Sequence, residues 1–376
     1  MRILKRFDEG VRIRIGSDDD LWTLAHICRI GSSLGMLGHR RDLTTGTQEG
    51  GRAKAAERKP MWIVISVQGN EFQPFSDALR VSGIITEARI DSGSHHTHSL
   101  RRGDELEIKR SGGIDDSDLR LLEEAVRAGQ RPRVILCVVE SDEVVVFEVA
   151  SHGLREVSQS TLRGGGKREK GSSAARISFI INAAKATAML LTAETPTVIC
   201  GPGLTRDSFE KELRAAGASG KLLNIPTSIG GRSAANEVLG GNLTGDVLEA
   251  HAVARQTRLI EDGLTRIAVD GPVAYGAATI AAAASQGAVE TLIIDAALLR
   301  QEPESKSPET VESSSQNSAE KKRSSAAKRV DWPAIEAKVI AAGGKVEQAS
   351  LEHDAGAQLE GFGGAIALLR WRLEAE

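Results

Sequence analysis

Two hydrophobic periods share this chain, and they cannot share one sheet. In the first third, apolar residues alternate with polar ones, as they do in half-buried antiparallel strands. From residue 133 onward, short solid apolar runs alternate with helical spacing, the pattern of α/β layers. Val11 to Ile15 alternates with arginine and reads as a strand, as do residues 61–67 and 79–89. Residues 93–108 read as strand, turn at Arg102-Gly103-Asp104, and strand. One helix interrupts them. Ser17-Asp18-Asp19-Asp20 precedes Leu21-Trp22-Thr23-Leu24-Ala25, which reads as an N-cap with acids at the positive end of a helix. Short strands with one helix predict a small twisted barrel or sandwich, left by an amphipathic helix over residues 118–128.

The middle third predicts an apolar hairpin, residues 133–139 and 143–149 around Ser141-Asp142. A helix follows over 175–191, then a buried strand over 196–200 closed by Gly201-Pro202-Gly203, then a helix over 206–216. Strand, turn and helix recur within 221–239. The last third predicts a helix over 274–286, a buried strand over 291–294, a helix over 332–342, a short strand from 344, and an apolar Gly/Ala segment over 363–369. Residues 301–329, rich in Ser, Glu and Lys, hold too little apolar surface to order themselves and read as a disordered insertion. At about 100–200 residues per domain, a chain of 376 residues makes two to four domains.

Composition narrows the function classes. Aromatics are only 3% of the chain, with Tyr275 the single tyrosine, so rows of stacking aromatics along a single strand of nucleic acid are not expected. Net charge is −3, so any attraction to a polyanion has to come from local patches. Cys28, Cys137 and Cys200 are too dispersed for a disulfide framework or zinc module and read as small core residues. Met1 to Gly10 has no apolar signal region, and the Ala/Gly-rich run 271–289 is too weakly hydrophobic to span a bilayer. A soluble, cytoplasmic protein is expected.

Several motifs admit two readings. Residues 40–60 read as a long polar loop carrying Arg40, Arg41, Arg52, Lys54, Arg58 and Lys59. It is either a grip on an RNA backbone or a solvated surface. Gly164-Gly165-Gly166-Lys167-Arg168-Glu169-Lys170 lacks Walker A spacing. Its Lys167, Arg168 and Lys170 suit an RNA-touching loop or an ordinary flexible one. Gly201-Pro202-Gly203 has no third glycine for a dinucleotide fingerprint, and Pro202 removes an N–H, which favours a structural turn. Asp18, Asp19 and Asp20 suit a hard divalent cation, but helix capping explains them with no further assumption. His96 and His98 share a strand face, yet nothing nearby completes a tetrahedral metal set, so exposed imidazoles are expected. No catalytic triad or trusted carboxylate pair stands out.

Taken in order, several blocks resemble archaeal Pelota. They are Asp19-Asp20-Leu21-Trp22; residues 90–108; residues 199–209; and Gly231-Arg232-Ser233-Ala234-Ala235-Asn236-Glu237-Val238-Leu239. Val273-Ala274-Tyr275-Gly276, residues 287–292, and residues 353–361 leading into Gly363-Gly364-Ala365-Ile366-Ala367 continue the series. The resemblance implies a multidomain protein: an N-terminal Sm-like β-barrel (1–128), a central α/β domain (129–258) and a C-terminal α/β domain (259–376), the last two similar to class-1 release factors. It implies a ribosome-rescue factor that occupies the A site of stalled ribosomes and promotes their dissociation and mRNA quality control (no-go decay). Its implied partners are the stalled ribosome with its rRNA and mRNA, a translational GTPase of the elongation-factor type and an ABC-type recycling ATPase. It also implies a monomer that contacts no membrane. Both basic segments map where the family faces RNA. The alternative it carries is an endoribonuclease that depends on a divalent metal cation and cleaves stalled mRNA through the N-terminal domain, with neither ligands nor catalytic residues assigned. Two features depart from the family: Pro202-Gly203-Leu204 stands where Pro-Gly-Phe is common, and residues 301–329 exceed the usual connection. A release factor proper would carry Gly-Gly-Gln, whereas the sole glycine triplet here runs into Lys167.

Overall fold

The alternating residues of the first third close one face of an antiparallel sheet. The computed structural model describes residues 1–41, 58–74, 76–162, 172–241, 244–301 and 330–373, and divides into two compact units, Met1–Arg258 and Leu259–Glu376. The first unit opens with β1 (Arg2–Phe7), β2 (Gly10–Arg14), α1 (Asp19–Ile27), β3 (Ser32–Arg41), β4 (Arg58–Glu71), β5 (Leu79–Glu87), β6 (His95–Leu100), β7 (Glu105–Arg110) and α2 (Asp116–Ala128). Its seven strands run in the order β1-β2-β7-β3-β4-β5-β6, antiparallel throughout. Ile13, Leu34, Ile63, Ile65, Leu79, Leu106 and Ile108 are fully buried on the inner face, with Leu21, Leu24 and Ile27 of α1. Each such side chain contributes about 1.5–3 kcal/mol.

The strands flanking Arg102-Gly103-Asp104 do not pair with each other. β6 is an edge strand on β5, while β7 lies between β2 and β3. In a flat sheet they would stand four strand spacings apart, about 19 Å. Only residues 101–104 connect them, in a turn where the Arg101 carbonyl accepts from the Asp104 N–H at 3.1 Å. A tight turn spans under about 7 Å, so the sheet has to curl toward itself.

The rest of this unit is α/β. Here β8 (Ile135–Val139), β9 (Glu143–Ala150), β10 (Gly153–Thr161), α3 (Ser172–Ala188), β11 (Thr197–Gly201), α4 (Thr205–Ala215), β12 (Leu222–Pro226), α5 (Gly231–Gly240) and α6 (Asp246–Glu249) follow in turn. The sheet order is β10-β9-β8-β11-β12, with β8, β11 and β12 parallel. Strand alternation splits its core between two faces. Leu136, Val138, Val198 and Cys200 pack with Ala234, Val238 and Leu239 of α5. Ile135, Cys137, Val139 and Ile199 pack with Ile180 and Ala184 of α3 and with Phe209 and Leu213 of α4. All three cysteines are buried and free. Burial pushes the Cys28 and Cys200 thiols up to about 12, so they act as hydrophobes.

A long helix, α7 (Ala252–Ala268), crosses the division between the units. The second unit holds β13 (Val273–Tyr275), α8 (Ala277–Ser285), β14 (Val289–Asp295), α9 (Trp332–Ala341), β15 (Lys345–Ala349), α10 (Asp354–Gly361) and β16 (Ala365–Leu369). Its sheet runs β13-β16-β14-β15 and is mixed. The helix expected over 274–286 is shorter than its apolar run. Ala274 and Tyr275 pair with β16, and Gly276 at φ +76° ends that strand before α8. Asp331 caps α9, its carboxylate accepting from the Ala334 N–H at 3.0 Å ahead of Pro333. Of the expected insertion, residues 302–329 lie outside the described residues. Among the described residues no helix is long and apolar enough to cross a membrane.

Candidate nucleic-acid interface

The basic segment expected as a loop over 40–60 is partly sheet. β3 and β4 pair without interruption from Ser33↔Ser66 to Arg41↔Arg58. Fully buried Leu34, Ile63 and Ile65 anchor the ribbon on its inner side. Apolar alternation thus extends the pairing past the core and into the charged residues. The register sets Arg40 opposite Lys59 and Arg41 opposite Arg58. Arg52 and Lys54 lie outside the described residues, as do Lys167, Arg168 and Lys170, which fall between the end of β10 and the start of α3.

The acids at the head of α1 do not act as side-chain caps. Asp18 occupies the N-cap position but makes no capping hydrogen bond. Asp20 is buried; its Oδ2 accepts from the Gly16 and Ser17 N–H groups at 2.7 and 3.0 Å and lies 2.7 Å from the Met1 ammonium. The Asp19 carboxylate accepts from the Ser151 N–H at 2.9 Å, in the turn between β9 and β10. Its other oxygen stands 3.8 Å from Nδ1 of His152. That imidazole is buried, parallel to Trp22 at 6.3 Å and edge-on to Phe72 at 6.1 Å. Arg155 lies 3.7 Å from Asp18 and hydrogen-bonds Glu148. Burial raises the Asp19 pKa, and Glu148 adds to that rise, against the Ser151 hydrogen bond. Beyond α1, Glu124 of α2 pairs with Arg131 at 3.0 Å and Arg255 at 3.1 Å. The acids therefore fasten the N-terminal sheet to the central one. Ser151 and His152, which complete this joint, carry no sequence signal beyond a turn between two strands.

At the head of α1 these acids are committed in part to protein groups. Oδ2 of Asp19 faces an amide N–H, and Oδ2 of Asp20 faces two amide N–H groups and an ammonium. Among the described residues no group of three or more His, Cys, Asp or Glu could hold a metal ion. The expected exposed imidazoles are also corrected. His98 is only 2% exposed, because its side chain falls on the inner face of β6. Its Nε2 lies 3.2 Å from the Ile63 carbonyl, and His96 sits against it at 4.6 Å. Burial, with His96 adding, pulls the His98 pKa down to about 4.

Gly201-Pro202-Gly203 is the structural turn its residues suggest. Gly201, at φ +145°, passes so close to β8 that a Cβ would sit 2.1 Å from the Val139 carbonyl oxygen. Gly203 takes φ +74°, and Arg206 hydrogen-bonds its carbonyl. Leu204, 77% exposed, then leads into α4. At the neighbouring helix start, Glu140 accepts from the Gly231 N–H at 2.9 Å, so a protein carboxylate occupies the head of α5.

This arrangement has known counterparts. Residues 1–126 match the Pelota N-terminal domain, and residues 253–373 match eRF1 domain 3. The Protein pelota homolog of Methanothrix thermoacetophila is 33% identical over 379 residues, covering 99% of each chain. That of Natronomonas pharaonis is 32% identical, covering 99% of this chain and all of the relative. Among solved structures, the Thermoplasma acidophilum Pelota protein superposes with a TM-score of 0.73 at 21% identity, covering 99% of this chain and 100% of that one. S. cerevisiae Dom34, described as a translation termination-like factor involved in RNA quality control pathways and interacting with Hbs1, gives 0.52 at 16% identity, with 99% of each chain covered. Identity of 32–33% along 99% of its length makes this chain a member of the Pelota family.

Proposed function

We propose that the protein recognises stalled ribosomes by occupying the A site without reading a codon or releasing the peptide, and so promotes ribosome dissociation and mRNA quality control. The observation that carries this reading is the paired cationic register at the end of the β3–β4 ribbon, in a chain of net charge −3 and of Pelota kinship. Cations on such a ribbon suit phosphate and carry no base code. Lys167, Arg168 and Lys170 supply a second contact with rRNA or the acceptor end of the site. The chain has no Gly-Gly-Gln, which supports a factor that does not hydrolyse peptidyl-tRNA.

Its partners are the ribosome, a translational GTPase of the elongation-factor type, in keeping with the description of Dom34 as interacting with Hbs1, and an ABC-type recycling ATPase. It acts in the cytoplasm as a monomer. The endoribonuclease reading is not adopted, because the acids it would call on at the head of α1 are engaged with protein groups. The test is binding to stalled ribosomes with an empty A site, with and without candidate GTPases. Tight binding that is indifferent to the A-site codon is expected. A strong codon preference, or peptide release above background, contradicts it.

A further inference from the structure

One aromatic side chain lies open on the outer face of the same ribbon. Trp62 of β4 is 40% exposed, and its register partner on β3, Leu37, is 58% exposed. Two large apolar side chains paired on the outer face of a sheet keep much of their surface in water, which marks a candidate binding surface. The floor beneath the indole is glycine. A Cβ at Gly35 would come within 3.0–3.2 Å of Nε1, Cζ2 and Cε2 of Trp62, so the ring lies close on bare backbone. The guanidinium of Arg12 sits 5.5 Å from the ring centroid and is itself held by Glu107 through bonds of 2.9 and 3.2 Å. The indole is thus fixed from below and from the side, and keeps solvent-facing surface.

Along this face the register runs from Leu37↔Trp62 through His39↔Pro60 to Arg41↔Arg58. At about 3.4 Å per residue, the backbone of Arg41 and Arg58 lies some 14 Å along the ladder from Trp62. An exposed, immobilised aromatic beside a line of positive charge is the arrangement that takes an unpaired base of a single strand: phosphates meet the cations while the base stacks on the ring.

We infer that Trp62 is a stacking platform for one unpaired RNA base, with Arg12 bracing the ring, on a ribbon whose sequence carries the cations that suit phosphate. The inference rests on the proposed RNA-facing role of the ribbon and deepens it. The low aromatic content argues against a row of such platforms and is consistent with one. Stacking is tolerant of base identity, so the site adds affinity without codon preference. An apolar peptide is the competing occupant, and the charge of the ribbon favours RNA over it.

The experiment uses the full chain with Trp371→Phe. Trp22 and Trp332 are buried, so the exposed tryptophan signal then belongs to Trp62. An unstructured RNA octamer and an abasic octamer with the same number of phosphates are titrated at low salt. The octamer is expected to quench fluorescence and bind roughly 5- to 150-fold more tightly than the abasic strand. Trp62→Leu should lose that margin and Trp62→Phe should keep most of it, with equal salt slopes in all three. Equal affinity for the two strands, or for Trp62→Leu and the parent, overturns the platform and leaves the phosphate reading standing. No RNA binding by the parent overturns both. If Trp62→Leu fails to fold, the parent's quenching and the Trp62→Phe titration decide, and failure of the abasic strand to differ there counts against the inference. Saturable quenching by an apolar peptide but not by the octamer reassigns the surface.

Discussion

Asp19 ties the helix α1 to the turn between β9 and β10, and its protonation and that of buried His98 set how the unit responds to pH. Asp19 has its folded pKa raised by burial. A raised carboxylate binds its proton more tightly in the folded state. The stability it adds is therefore complete below its ordinary value of 3.8 and is lost as pH climbs through the raised value. At neutral pH the carboxylate is a burden that its hydrogen bond to Ser151 offsets. Asp19→Asn keeps an acceptor and removes the charge, so it should melt at or above the parent temperature. Asp19→Ala should lose about 1 kcal/mol with the hydrogen bond, as read by thermal unfolding at pH 7. His98 works in the opposite direction. Its folded pKa, about 4, lies below the ordinary 6.5, so its contribution is complete above 6.5 and is lost as pH falls toward 4. The loss is about 3 kcal/mol. His98→Gln can still donate to the Ile63 carbonyl without titrating. Its urea midpoint should fall less than the parent's between pH 7 and pH 4.5; an equal fall would mean that other groups carry the acid lability.

At the scale of elements, the β3–β4 ribbon brings Arg40 into register with Lys59 and Arg41 with Arg58. Arg58→Glu with Lys59→Glu reverses two of these charges and should weaken ribosome binding and flatten its salt dependence by about two units of logarithmic slope. Unchanged affinity and slope would detach the ribbon from function. The turn after β11 is constrained differently. Gly201→Ala forces a Cβ against the Val139 carbonyl at a backbone angle that L residues avoid, and should cost more than about 2 kcal/mol or prevent folding. Soluble expression and a parent-like melting temperature would contradict it.

At the scale of the whole molecule, what could be read from sequence follows how strongly each element depends on its own residues. Solid apolar runs such as Ile135–Val139 and Thr197–Gly201 are buried on both faces and are legible as strands. Edge strands are not: Arg2–Phe7 and Gly153–Thr161 are mostly polar because one side meets solvent. Ser32–Arg41 hides behind Gly35 and Gly38, which lower strand propensity but are needed under Trp62 and beside Ile63. In α7, Val253, Ile260, Leu264 and Ile267 do recur at helical spacing, a signal the reading by blocks passes over between Leu239 and Ala274. The basic residues are visible as charge, yet only the register shows that four of them face each other on a ladder. Asp18 and Asp19 look like caps because their partners Arg155 and Ser151 lie more than a hundred residues away.

The central claim is that phosphate contacts from two basic segments carry ribosome binding without codon reading. The direct measurement is affinity for stalled ribosomes against salt concentration, for the parent and for alanine substitutions of Arg40, Arg41, Arg58 and Lys59 or of Lys167, Arg168 and Lys170, with two different A-site codons. Each lost phosphate contact should flatten the logarithmic slope by about one unit, equally for both codons. Slopes unchanged in both sets of variants, or a strong difference between codons, would contradict the account.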